Sequence, residues 1–298
     1  MSLDAAAVRD ARAGTTGQRD GRTRTRSRSR SRRGLWLGAW LAVATIYLLA
    51  AVFPQLLAPG DPLAVNPADA FSPPVSAHPL GTDESGRGVY TRIVHGASSS
   101  LTIGALATVI GLLLGAVLGL AAGLGPRWLD FGTTRIVEVF FAFPGILLAL
   151  LLITLAGPGV VTTTIAVGLS TAPGYARLIR SQVLRVRASA YMEADLVLGR
   201  SRWHSFTRTL LPNVAWPLFS LATLGLGQAI VWAAALSYLG LGEPPPSPEW
   251  GSMLSAGRLY LPTGSWWLTI FPGTAIVGAA VTATMLGRIM QQRTRQAG

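Results

Sequence analysis

The chain has 298 residues, half of them hydrophobic and only 13% charged, whereas soluble domains carry about a quarter charged residues. It contains no cysteine, which excludes disulfides and thiolate metal sites. All 25 basic residues are arginine, and without a lysine there is no phosphate-cradling P-loop, so ATP hydrolysis is excluded as this chain's own chemistry.

A hydrocarbon core about 30 Å thick takes about 20 mostly apolar helical residues to cross. Six blocks approach that length: 35–57, 98–124, 133–156, 160–180, 213–240 and 265–287. The first follows 34 residues and is longer than a signal-peptide core, so it reads as an uncleaved helix, with Trp36 and Trp40 suited to the interfacial belt. Pro173 and Gly174 interrupt the fourth, and Arg177 and Arg180 crowd its end. The reading is an all-α, polytopic membrane protein with six transmembrane helices.

Arginine placement sets the orientation. Excluding the first 33 residues, a cytoplasmic N-terminus leaves 12 arginines in inner segments and three (Arg87, Arg92, Arg258) outside. This follows the positive-inside rule, and both termini are expected in the cytoplasm.

Outside the spans, residues 1–34 form an Arg-rich tail ending in alternating Arg and Ser/Thr, too poor in apolar residues to fold. A topological anchor beside the first span is the preferred reading of it. Binding to anionic lipid and binding to nucleic acid are the alternatives, and no nucleic-acid partner is expected. The first span covers 35–57, and an extracytoplasmic loop covers 58–97. That loop and the Pro244-Pro245-Pro246 loop are where a soluble partner would dock.

Residues 188–212 lie on the cytoplasmic side. Their first half reads as a short helix stopped or bent at Gly199, where a left-handed backbone is cheap. The second half presents Trp203, Phe206 and Leu210 at helical spacing, with Pro212 expected to end it and Asn213 to open the fifth span. Two short helices at an angle would form a projecting knob. An ordinary loop on the membrane surface fits the pattern equally well.

Other residues admit two readings each. Gly111, Gly115, Gly119 and Gly123 recur every fourth position, for close helix packing in preference to a sliding interface. Glu138 is the acid nearest a membrane interior, and a local ion pair with Arg135 one turn away accounts for it better than a proton-coupled carrier does. His78 and His95 share the outer loop but lack a third ligand. No metal site, cofactor or catalytic residue is expected, since there is no His-Glu-x-x-His helix and no Gly-x-Ser-x-Gly elbow.

Glu193-Ala194, then Gly199, then Leu211-Pro212 at the corresponding distance resemble the signature of permeases from binding-protein-dependent ABC importers. His78–Asp83 with Gly86-Arg87, Leu236–Gly242, Pro248–Leu254, and Arg135, Glu138 and Pro144 resemble the C-type permease of the oligopeptide, dipeptide and nickel branch. The resemblance implies a type I ABC importer permease core, with a transmembrane permease domain over 98–290 and a cytoplasmic tail over 291–298. It implies coupling to ATPase subunits through Glu193, Ala194, Asp195, Gly199, Leu211 and Pro212. Asp195 stands where the signature has a second alanine, adding a charge.

The implied assembly contains a second homologous permease, two ATP-binding subunits and an extracytoplasmic solute-binding protein, set in the lipid bilayer of a bacterial cytoplasmic membrane. The implied cargo is small peptides, with nickel chelates or another small solute as the alternative. A secondary carrier is disfavoured, because neither internal repeats nor mid-membrane acids are found. Gln228, Ser237 and Thr163 are the intramembrane polar candidates for lining a pathway.

Overall fold

In a computed structural model the backbone is described for residues 20–297 and the side chains for 36–292. The chain divides into two units, Met1–Val43 and Ala44–Gly298. Helix α1 (Asp20–Val52) begins in the first and ends in the second, and its apolar part is Trp36–Val52. The helix thus starts earlier than the expected boundary after residue 34. Arginine is a good helix former, and extending an existing helix adds a hydrogen bond per residue without a new nucleus. The earlier part of the Arg-rich tail, 1–19, lies outside the described residues.

The second unit continues with α2 (Val89–Leu124), α3 (Arg127–Phe141), α4 (Gly145–Ala156), α5 (Val160–Arg187), α6 (Ala190–Val197), α7 (Leu211–Tyr238), α8 (Trp250–Gly257) and α9 (Trp267–Ala297). Among the described residues the only extended pairings are two isolated bridges, Val75 with His78 and Thr82 with Gly88. Among the described residues three helices are long and apolar enough to cross a membrane, Val89–Leu124, Arg202–Tyr238 and Trp267–Gln292. The pair α3 and α4 makes a fourth if its 88° bend lies within one span. The sequence reading ran straight through this bend. Phe143 precedes Pro144, and the proline ring disfavours helical backbone there, so the break falls at that point.

The expected interruption at Pro173-Gly174 does not occur, and α5 is continuous through both. Prolines are tolerated inside membrane helices where neighbouring helices hold the backbone, and here α5 lies tightly against α2. A methyl group added at Gly115 would stand 2.4 Å from Tyr175 Cβ, and one at Gly119 would stand 2.7 Å from the Ala176 carbonyl oxygen. The glycine stripe lets α2 and α5 approach this closely, as the packing reading expects. Tyr175, Ile179, Val183, Leu210 and Val214 form a buried cluster joining the C-terminal half of α5 to the start of α7.

Pro212 does not end a separate helix. Arg202–His204 passes through one π turn, Ser205–Leu210, directly into α7, giving a single 37-residue helix Arg202–Tyr238. Pro212 is the second residue of α7, directly after the π turn. The knob is consequently one short helix against the foot of a long one rather than two short helices.

Candidate functional site

The segment between α5 and α7 is built by local hydrogen bonding. Ser189, extended at the N-cap of α6, closes the turn from α5 by donating its hydroxyl to the Val186 carbonyl at 2.6 Å. At the far end, Arg200 N bonds to the Asp195 carbonyl and Gly199 N to the Leu196 carbonyl, both at 3.0 Å, around Gly199 at φ +65°. These two bonds are the Schellman stop, which requires one left-handed residue, and glycine takes that conformation without a Cβ penalty. The position that such stops often fill with an apolar contact is occupied by an ion pair, Arg200 Nη1 to Asp195 Oδ1 at 2.9 Å.

Asp195 has a second partner. The π turn swings Thr209 toward α6, and its hydroxyl donates to Asp195 Oδ2 at 2.5 Å. Asp195 is only 4% exposed, and the Thr209 hydroxyl, with further help from Ser205 and Arg200, holds its carboxyl below the ordinary carboxylate range. The charge expected to project toward a partner is turned inward, where it ties α6 to the foot of α7.

What projects instead is apolar. Tyr191, Leu196, Val197, Leu198 and Trp203 are between 66% and 86% exposed, with Glu193 and Ala194 also on the outside. Large exposed side chains gathered on and beside a short, stapled helix form a surface suited to burial. Sequence reasoning passed over Leu196-Val197-Leu198, although three consecutive apolar residues between Asp195 and Gly199 carried the signal. Leu211 and Pro212 are exposed at the start of α7.

The three candidates for a pathway separate. Gln228 is exposed and lines an apolar groove of about 340 Å³ between α7 and α9, with Leu224, Trp232 and Met285 among its walls. Thr163 is fully buried, and its hydroxyl donates to the Leu241 carbonyl at 2.9 Å, tying α5 to the loop after α7. Ser237 is likewise buried, at 2% exposure, and lines no open surface of the chain.

Arg135 and Glu138 form the expected pair, Nη1 to Oε2 at 2.8 Å. Arg180 reaches across from α5 to grip Asp130 of α3 with two bonds, at 2.7 and 2.9 Å, and Arg177 stacks over Phe141 at the α3–α4 bend. The two histidines make separate contacts, His78 with Asp69 at 3.4 Å and His95, which lies in α2 rather than in the expected loop, with the Ala58 carbonyl at 3.1 Å.

Residues 97–296, which contain the whole α5–α7 segment, match the family described as binding-protein-dependent transport system inner membrane component. The chain belongs to this family. It is 38% identical over 247 residues to the dipeptide transport system permease protein of Alkalihalophilus pseudofirmus, covering 83% of this chain and 81% of the relative. Identity is 35% over 245 residues to the probable D,D-dipeptide transport system permease protein of Escherichia coli K12, covering 82% of each. The glutathione transport system permease protein of Pectobacterium atrosepticum is 37% identical over 214 residues, covering 72% of this chain and 71% of that one. Among solved structures, the fold resembles an inward-facing methionine ABC transporter, with a TM-score of 0.55, 18% identity and coverage of 70% of this chain and 96% of the other. The chain is a permease component of the inner membrane, and the stapled α6 knob lies within the family-matched region.

Proposed function

We propose that this permease is one half of the membrane channel of an ATP-driven importer for small peptides, working with a second homologous permease, two ATP-binding subunits and an extracytoplasmic solute-binding protein. The observation carrying this reading is the apolar face of α6, fixed by the Gly199 stop and the Asp195 staple within the family-matched region. Glu193, Ala194, Gly199, Leu211 and Pro212 form the surface that meets an ATP-binding subunit, and Asp195 positions it. Peptide cargo is supported by the relatives, whose names specify dipeptide, D,D-dipeptide and glutathione transport.

The chain crosses a bacterial cytoplasmic membrane six times with both ends inside, a topology supported by the 12-to-3 arginine asymmetry outside the tail. It performs no hydrolysis, since it lacks a lysine for a P-loop. Gln228, in the groove between α7 and α9, is the retained candidate for facing the solute or the second permease.

Uptake of labelled di- to pentapeptides and of nickel, measured in a strain with and without the gene, tests the proposal. Gene-dependent peptide uptake is the expected result. Gene-dependent nickel uptake without peptide uptake overturns the cargo.

A further inference from the structure

Glu249 is a carboxylate only 2% exposed, and among the described residues no cation lies within 4 Å of it. Its partners are all neutral donors. Oε1 accepts from Gly251 N at 2.9 Å and from the Ser100 hydroxyl of α2 at 3.1 Å, while Oε2 accepts from Ser252 N at 2.8 Å. Burying such a group is costly unless every lone pair it exposes is occupied, and burial raises its carboxyl above the ordinary range.

Around this residue the segment Ser247–Ser255 is wedged between two helices. Toward α2, Trp250 N bonds to Ser100 Oγ at 3.0 Å and the indole N–H to the Ile93 carbonyl at 2.8 Å. Gly96 lies so close under the Pro248 carbonyl that an added methyl would stand 1.9 Å from it. Arg92 donates to the Ser247 carbonyl at 3.2 Å. Toward α7, Ser255 Oγ donates to the Tyr238 carbonyl at 2.8 Å, at that helix's last residue. The same helix continues without a break to Arg202, beside the α6 knob. At 1.5 Å per residue its 37 residues make a rod about 55 Å long.

We propose that Glu249 is a positioning residue for transport: it seats α8 as a wedge against α2 and the outer end of this rod, so that docking of a solute-binding protein on the outer loops is passed along α7 to the knob. This rests on the importer reading above. The Pro248–Leu254 stretch, which served only as a family resemblance, thereby acquires a role, and that role is distinct from lining a solute path.

The test uses the complete assembly in nanodiscs and compares ATPase rate alone with the rate in the presence of binding protein and peptide. Glu249→Gln places an amide donor against backbone N–H groups and Ser100→Ala removes one bond, while Glu249→Asp keeps a capping carboxylate. Losing a charge-assisted bond of this kind corresponds to about tenfold. The expected result is basal ATPase within about twofold of wild type, a stimulated increment reduced about tenfold in Glu249→Gln and partly restored in Glu249→Asp, and a smaller reduction in Ser100→Ala. An unchanged increment, or a parallel fall in basal and stimulated rates, overturns the proposal. Should Glu249→Gln fail to assemble, Ser100→Ala decides by the same two criteria. A wild-type assembly that shows no stimulation at all refutes the importer reading instead.

Discussion

Thr209 and Asp195 are 14 positions apart, and the hydroxyl of one donates to the carboxylate of the other at 2.5 Å. This bond exists because the backbone between them reverses at Gly199 and then widens into a π turn. It fixes the angle at which α6 presents its apolar face, and several expectations depend on it.

Gly199→Val should open the reversal. A β-branched residue at φ +65° is strained by about 1–2 kcal/mol, a factor of roughly 5–30 in the population of the turn. Gly199→Asn should cost much less, since asparagine tolerates this backbone conformation. Co-purification of the ATP-binding subunits should fall for valine and stay near wild type for asparagine, with membrane insertion unchanged in both.

Replacing Leu196 and Val197 together by serine should weaken ATP-binding subunit docking without disturbing the permease fold, because both side chains are more than 80% exposed. Burying two such side chains contributes about 1.5–3 kcal/mol each, so affinity should drop by at least tenfold. Unchanged affinity in a titration of purified subunits would remove this face from the docking surface.

The Asp195 carboxyl is held below the ordinary aspartate value of 3.8, first by the Thr209 hydroxyl. A depressed acid stabilises the folded turn above its unfolded pKa, and that contribution is lost as pH falls through the folded value. The α6–α7 turn should therefore be indifferent to pH across the neutral range and loosen below about 3.8. Hydrogen exchange over 188–212 should show this loosening, and Asp195→Asn should abolish the pH dependence by weakening the turn at every pH.

Gly115→Leu should be far more damaging than a substitution on the outer face of α2. The first added carbon already meets Tyr175 Cβ at 2.4 Å, so the two helices must separate. Overpacking of this kind costs about 1–3 kcal/mol or more, and the thermal midpoint of the detergent-purified permease should fall accordingly. Val117→Leu, at a position 65% exposed, should leave it unchanged.

Deleting residues 2–30 should leave peptide uptake close to wild type once corrected for the amount inserted. Arg32 and Arg33 remain beside the first span, together with twelve arginines in the other inner segments, to orient the spans. An inserted and assembled deletion protein that does not transport would assign the tail an active role, and retention of anionic lipid by the full-length chain would then be the measurement to make.

Composition by itself determined the class of this protein, because long apolar blocks with few charges have no aqueous fold. Local spacing also sufficed for the Arg135–Glu138 pair and for the stop at Gly199, because both depend on neighbours within one or two turns. Wherever a partner came from a distant part of the chain, only the tertiary structure decided. Asp195 turned inward because Thr209 is brought to it, and Thr163 is bound inside the helix packing because Leu241 offers it a carbonyl. Pro173 stayed helical against a glycine-lined face of α2, and Glu249 was buried without a cation because Ser100 and two backbone N–H groups surround it. A polar side chain goes where its hydrogen bonds can be completed, and in a helical membrane protein the completing group is often a hundred residues away.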